Sequence, residues 1–206
     1  ATLDRNDAHV LGEHPGRMVV GLDGFVGEAG PEVAAVAAAE SVGEVSPVLV
    51  VGGSIRAAGS SPEAGFDVLI EAVDTSSDVW TPLLLRGEAT GGVVLSSLAA
   101  DDLGADVGDD VVLTHPARDG LGFTMVDSTV LVAGVHGSPF RFNVYVDRTL
   151  LPLFGAEGLA NQLSVLPAAG GGEDEVEAEL FGLDRVTSVQ PVATASTLVR
   201  DTLDQF

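Results

Sequence analysis

Two short segments hold the residue types that build recognition surfaces. His115–Phe123 reads HPARDGLGF and carries Arg118 and Phe123; Gly137–Phe142 reads GSPFRF and carries Phe140, Arg141 and Phe142. Arginine and aromatic side chains anchor protein interfaces because they join a large contact area to directed hydrogen bonds. Arginine is scarce in this chain: nine among 206 residues, with no lysine, against 31 Asp and Glu. Two readings stand for these segments. Either the Phe side chains fill a small core and the arginines pair with acids, or the five residues form a surface for a partner.

Other chemistry is poorly supplied. Without lysine there is no Walker A phosphate loop and no Schiff-base or pyridoxal anchor. Without cysteine there is no thiol nucleophile, disulfide, Cys-ligated zinc or Fe–S cluster. His9 and His14 are five residues apart, which is not the spacing of one helix face, and His115 and His136 precede Pro116 and Gly137, so both are read as turn or surface histidines. The acidic run 101–110 lacks the residue order of an EF-hand. Gly52-Gly53-Ser54-Ile55-Arg56 fails the G-x-S-x-G pattern at its last position. A carboxylate-pair glycosidase needs a sugar platform, and Trp80 and Tyr145 are the single Trp and Tyr. We assign no catalytic residue, no metal ligand and no cofactor.

The elements that position the two segments are legible from pattern. Met18–Val26, Val45–Val51 and Phe66–Val73 read as strands, with a helix opening at Pro31, where a missing N–H costs nothing, and stopping at Gly43. Gly52–Gly65 reads as a loop. In the middle, Val93–Leu95 is a strand, Ser96 or Ser97 caps a helix that Gly104 stops, and Asp109–Thr114, Ser128–Val135 and Phe142–Val146 are strands. Asn161–Leu166 and Val186–Val192 flank a helix over Glu173–Phe181 whose acidic first turn suits its dipole. Strand, helix and strand thus occur twice. Two strands joined by a helix lie parallel. The expected architecture is α+β: two βαβ-type halves forming one lobe from residues 1–79 and 161–206, with a small mostly-β domain inserted at 80–160.

Net charge is −22, with the acids spread over the whole chain rather than gathered in a tail. Such a charge repels nucleic acid and anionic membrane surfaces. Many carboxylates with no lysine is the composition of a protein working in multimolar salt, where the Debye length falls to about 3 Å and self-repulsion is screened. An extreme halophile is the expected source, and lowering KCl from molar to 10 mM should then reduce the melting temperature. Both ends read as cut from a longer chain. Ala1-Thr2-Leu3-Asp4 carries no leader, and Leu198, Val199, Thr202, Leu203 and Phe206 have helical spacing that runs off the end.

Leu85-Arg86-Gly87-Glu88, Gly92-Val93-Val94-Leu95-Ser96-Ser97-Leu98-Ala99 and Leu103–Leu113 (LGADVGDDVVL) follow one another in a fixed order. In that order they resemble the extracytoplasmic domain of MacB/FtsX/LolC-type ABC-transporter permeases. Phe142-Asn143-Val144-Tyr145-Val146-Asp147 and Asn161–Val165 are similar to the family's later strands, and Val186–Val192 followed by a helix resembles its approach to the next membrane segment. Glu88-Ala89-Thr90 departs from it, since a Pro is expected there. The resemblance implies a two-lobed, non-catalytic domain on the extracytoplasmic face of the cell membrane, within an integral membrane protein. It implies flanking hydrophobic helices of about 20 residues, a cytoplasmic ABC ATPase acting through the full-length permease, a second permease copy, and a substrate or extracellular partner. Arg118, Phe123, Phe140, Arg141 and Phe142 are the candidate partner surface. The alternative is a secreted or lipid-anchored ligand-binding module, which requires complete ends and an aromatic-lined pocket; a salt-adapted hydrolase is a third reading.

Overall fold

The computed structural model describes residues 16–192 other than 121 and 139. The expected C-terminal helix after Ser196 and the irregular start lie outside the described residues. The fold is mixed α+β with ten strands. Hydrogen-bonded neighbours follow the order β10 (Val186–Pro191), β1 (Met18–Gly27), β9 (Leu159–Pro167), β2 (Val42–Ala57), β3 (Phe66–Val73), β8 (Asn143–Asp147), β5 (Val93–Ser96), β7 (Gly122–His136) and β4 (Leu84–Gly87), and β6 (Asp110–Asp119) pairs with both β2 and β7. The chain divides into two compact units. Unit 1 comprises the residues up to Val48, Ser77–Trp80, and those from Gly158 on; unit 2 comprises Leu49–Ser76 and Thr81–Glu157.

Unit 1 contains β1 (Met18–Gly27), α1 (Pro31–Ala37), the first part of β2 (Val42–Ala57), β9 (Leu159–Pro167), α3 (Glu173–Leu180) and β10 (Val186–Pro191). β1 and β2 both run antiparallel to β9, so they are parallel to each other with β9 between them. β9 and β10 are likewise parallel about β1. The two strand–helix–strand segments interleave strand by strand. Their helices supply Val33, Val36, Val176 and Leu180 to a core with Met18, Val20, Leu163 and Val165, and all of these but Val33 are wholly inaccessible. Glu179 of α3 accepts the N–H groups of Ser41 at 2.8 Å and Glu40 at 3.0 Å, which fastens α3 to the segment after α1. Arg17 is buried; it donates to Ser164 Oγ at 3.1 Å, and its guanidinium lies 4.6 Å from the centre of the Trp80 ring.

Unit 2 contains the rest of β2, β3 (Phe66–Val73), β4 (Leu84–Gly87), β5 (Val93–Ser96), α2 (Ser97–Leu103), β6 (Asp110–Asp119), β7 (Gly122–His136) and β8 (Asn143–Asp147). Its pairings close on themselves. β2 pairs with β3, β3 with β8, β8 with β5, β5 with β7, β7 with β6, and β6 again with β2. β4 is added outside this ring on β7. Closure leaves no open ladder in the ring itself, which removes the liability of unpaired edge strands. Phe154 and Leu151, from the 3₁₀ segment Arg148–Phe154, are buried, and Phe154 packs on His115 at 4.5 Å.

Three expectations change. The stretch 1–79, expected in one lobe, is divided: Leu49–Ser76 fall in unit 2, because β3 and the second part of β2 are staves of the ring between β6 and β8, and the chain returns to unit 1 over Ser77–Trp80 before entering unit 2 again at Thr81. The expected loop over Gly52–Gly65 begins as strand to Ala57. Gly53 is there because a Cβ would come within 2.4 Å of the Thr114 carbonyl, so a side chain is excluded where β2 meets β6. Gly43 is not a helix stop but part of β2; α1 ends at Ala37. By contrast α2 follows its sequence signals: Ser96 Oγ accepts Ala99 N–H at 3.1 Å and Gly104 takes the left-handed conformation at φ 61°.

Candidate functional site

Arg118 and Phe123 are brought together. They are partners in register near the end of the β6–β7 hairpin, and Pro116 with Met125 is the next pair on that face. A strand turns successive side chains to opposite faces. On β7 this leaves Phe123, Met125, Asp127, Thr129 and Leu131 exposed, while Val130 and Val132 point inward. Phe123 is 47% and Met125 58% exposed, so the core reading does not hold for the hairpin aromatic. The backbone of Arg118 lies against Gly155, where a Cβ would meet the Arg118 Cβ at 2.9 Å. Gly155 also has φ 58°, so both space and conformation exclude a side chain there.

Phe140, Arg141 and Phe142 form a second, separate group after the far end of β7. Thirteen residues of β7, 124–136, lie between the two groups, on the order of 40 Å along the strand at about 3.3 Å per residue. Phe140 and Phe142 pack at 5.6 Å between ring centres. Arg141 is engaged: Nη1 donates to Asp102 at 2.9 Å, and its guanidinium sits 4.5 Å over the Phe66 ring. For Arg141 the reading as an arginine paired with an acid is the one the structure supports.

The arginines separate the two groups further. Arg56 is paired with Asp127 at 2.7 Å and Arg86 with Asp106 at 2.7 Å; Arg185 meets Glu32 at 3.6 Å. Hydrogen bonds from Arg56 and Thr114 hold the Asp127 carboxyl below the usual range. Among the described arginines, Arg118 is the one whose side chain makes no hydrogen bond, ion pair or ring contact with a described residue. An exposed, uncommitted cation beside exposed Phe and Met can receive a carboxylate from outside.

The histidines are the residues that sequence reasoning misplaced. His115 is 0% and His136 3% exposed. His115 stands on the inward face of β6 with Val111 and Leu113, and its Nε2 lies 2.9 Å from Ser128 Oγ. Alternation along Val111, Leu113 and His115 was the available signal. His136 ends the apolar run of β7. Its Nδ1 accepts Ser138 N–H at 3.2 Å, so the proton sits on Nε2, which donates to the Asn143 carbonyl at 3.3 Å. Burial pushes its pKa down to about 4. No group of three or more metal-ligating side chains occurs among the described residues.

Solved structures share this mixed α+β fold. It is the fold of the extracytoplasmic domains of ABC-transporter permeases. The periplasmic region of MacB from Actinobacillus actinomycetemcomitans is similar at a TM-score of 0.56, with 13% identity, covering 96% of this chain and 98% of that one. The extracellular domain of the noncanonic ABC-type transporter YknZ from Gram-positive bacteria is similar at 0.51, with 14% identity, covering 84% and 97%. No protein-family model matches the chain, and no curated protein matches it in sequence. Among the described residues no helix is long and apolar enough to cross a membrane.

Proposed function

We propose that this chain is a non-catalytic extracytoplasmic domain of an ABC-transporter permease. In this reading it is tethered through flanking membrane helices and works in a transporter with a second permease copy. It relays motion driven by a cytoplasmic ATPase and contacts substrate or partner outside the membrane, without cofactor and without nucleic acid. The observation that carries the reading is the fold shared over almost the full length of both chains with the periplasmic region of MacB. We take the two strand–helix–strand segments as one lobe and the ring as the inserted lobe. The hairpin group Arg118 and Phe123 is the part of the candidate surface best suited to a partner, with Phe140 and Phe142 forming a separate face and Arg141 a structural tie.

These 206 residues hold no cysteine, so a single one introduced here, in an intact permease freed of any cysteine elsewhere, tests the reading. Ala58, exposed at the end of β2, is replaced by Cys and treated with a membrane-impermeant maleimide on whole cells. Labelling without permeabilisation is the expected result; labelling only after lysis would falsify the extracytoplasmic placement. In the same background Arg118→Glu should weaken partner capture and transport while leaving the fold intact, and unchanged transport removes Arg118 from the surface.

A further inference from the structure

His136 is the group around which the 137–142 turn is built. Its Nδ1 takes the Ser138 N–H at one end of the turn and its Nε2 bonds the Asn143 carbonyl at the other. Ser138 Oγ in turn accepts Phe140 N–H at 3.3 Å, and the Phe142 carbonyl accepts Leu69 N–H at 2.7 Å. Tyr145 packs on the imidazole at 4.8 Å between ring centres. An imidazole accepts at Nδ1 only while neutral; a second proton makes Nδ1 a donor facing another donor. We propose that His136 is a proton-operated latch: neutral, it closes the turn that carries Phe140 and Phe142, and protonated, it releases it.

The surroundings favour such a device because no carboxylate is bonded to the ring. From β8 the ring meets Tyr145 and the Asn143 carbonyl. On β4, Leu84 stands opposite His136, and Arg86 is occupied by Asp106. On β5 the opposite residue is Ser96, whose hydroxyl caps α2. On α2, Asp102 is committed to Arg141 of the turn itself. Among the described residues a charged ring therefore has no buried counter-ion, and relief comes from letting the turn open to water. An exposed imidazole titrates near 6.5, whereas the closed one titrates near 4. Between those values the ratio of open to closed turn rises about tenfold for each pH unit lost.

Tyr145 is the chain's single tyrosine, so protein grown with 3-fluorotyrosine gives one fluorine resonance next to the latch. That resonance should move, or a second one should grow, as pH falls from 6.5 to 4. Amide exchange at Ser138, Phe140 and Asn143 should accelerate over the same range while β1 and β9 stay protected. His136→Asn keeps an acceptor for the Ser138 N–H and cannot titrate, so its response should be flat; His136→Gln, which reaches the Asn143 carbonyl, is the second variant. A low-pH response that persists in these variants overturns the latch. Should neither variant fold, nitrogen-15 spectra of the wild-type histidines decide. An Nε2–H tautomer that persists until the turn opens supports the latch, and a ring that titrates near 6.5 with the fluorine signal unmoved overturns it.

Discussion

In unit 1 the strands form an open sheet, and α1 and α3 must bring Val33, Val36, Val176 and Leu180 onto it before a core exists. In unit 2 the strands close on one another, and the interior is filled by Ile55, Ile70, Leu113, Val132, Val144 and Phe154. The consequence appears on the surface. Among the described residues, the large apolar side chains exposed in unit 1 are Phe25 and Phe181, whereas unit 2 exposes ten, among them Leu85, Leu98, Phe123, Met125 and Phe142. A ring that supplies its own core leaves its outer face free to carry apolar and cationic groups, and five of the described arginines, including Arg118, are on unit 2. In the proposed reading, recognition is assigned to the unit with the self-contained core.

The largest expected effects test the two cores separately. Phe154→Ala should cost about 3–5 kcal/mol and Leu163→Ala about 2–5 kcal/mol, each removing a fully buried side chain. Hydrogen exchange should accelerate chiefly in β6 and β7 for the first and in β1 and β9 for the second. Equal acceleration in both units from either substitution would break the comparison.

A smaller effect separates the units by pH. The unfolded chain binds a proton at His136 near pH 6.5, and the folded one near 4. Stability is therefore complete above pH 6.5 and falls as pH is lowered to about 4, by at most about 3 kcal/mol if the turn stays closed and by less once it opens. Denaturant melts of wild type and His136→Asn over this window should diverge, with the slope confined to the wild type. Parallel pH profiles of the two proteins exclude that assignment.

Smaller still, Ser96→Ala removes the cap of α2 and should lower stability by about 1 kcal/mol, measured as a shift in the denaturant midpoint. The smallest effect sharpens the comparison most. Arg118→Glu removes a cation with no bonded partner among the described residues, so stability should change by no more than about 0.5 kcal/mol. A larger loss would show that Arg118 belongs to the ring's own structure rather than to its recognition face.

Sequence alone determined what depends on near neighbours. The Ser96 cap and the Gly104 stop lie within nine residues of each other and set α2 before any tertiary contact forms. Alternating apolar residues place β3, and the order of the LGADVGDDVVL stretch among its neighbours was enough to indicate the permease-domain fold. The absence of lysine and cysteine removed whole classes of chemistry. Tertiary structure decided what depends on pairing between distant strands. Only the β2–β6 ladder shows that Gly53 is a close approach rather than a loop glycine. Only ring closure assigns β3 to unit 2, buries His115 and His136, and sets Arg118 and the Phe140–Phe142 turn at opposite ends of β7. A strand carries its period in its own residues, but its partners are chosen by hydrogen bonds and burial across the chain, such as Arg17 to Ser164 over 147 residues. The side chains left over for recognition are known only after those choices are made.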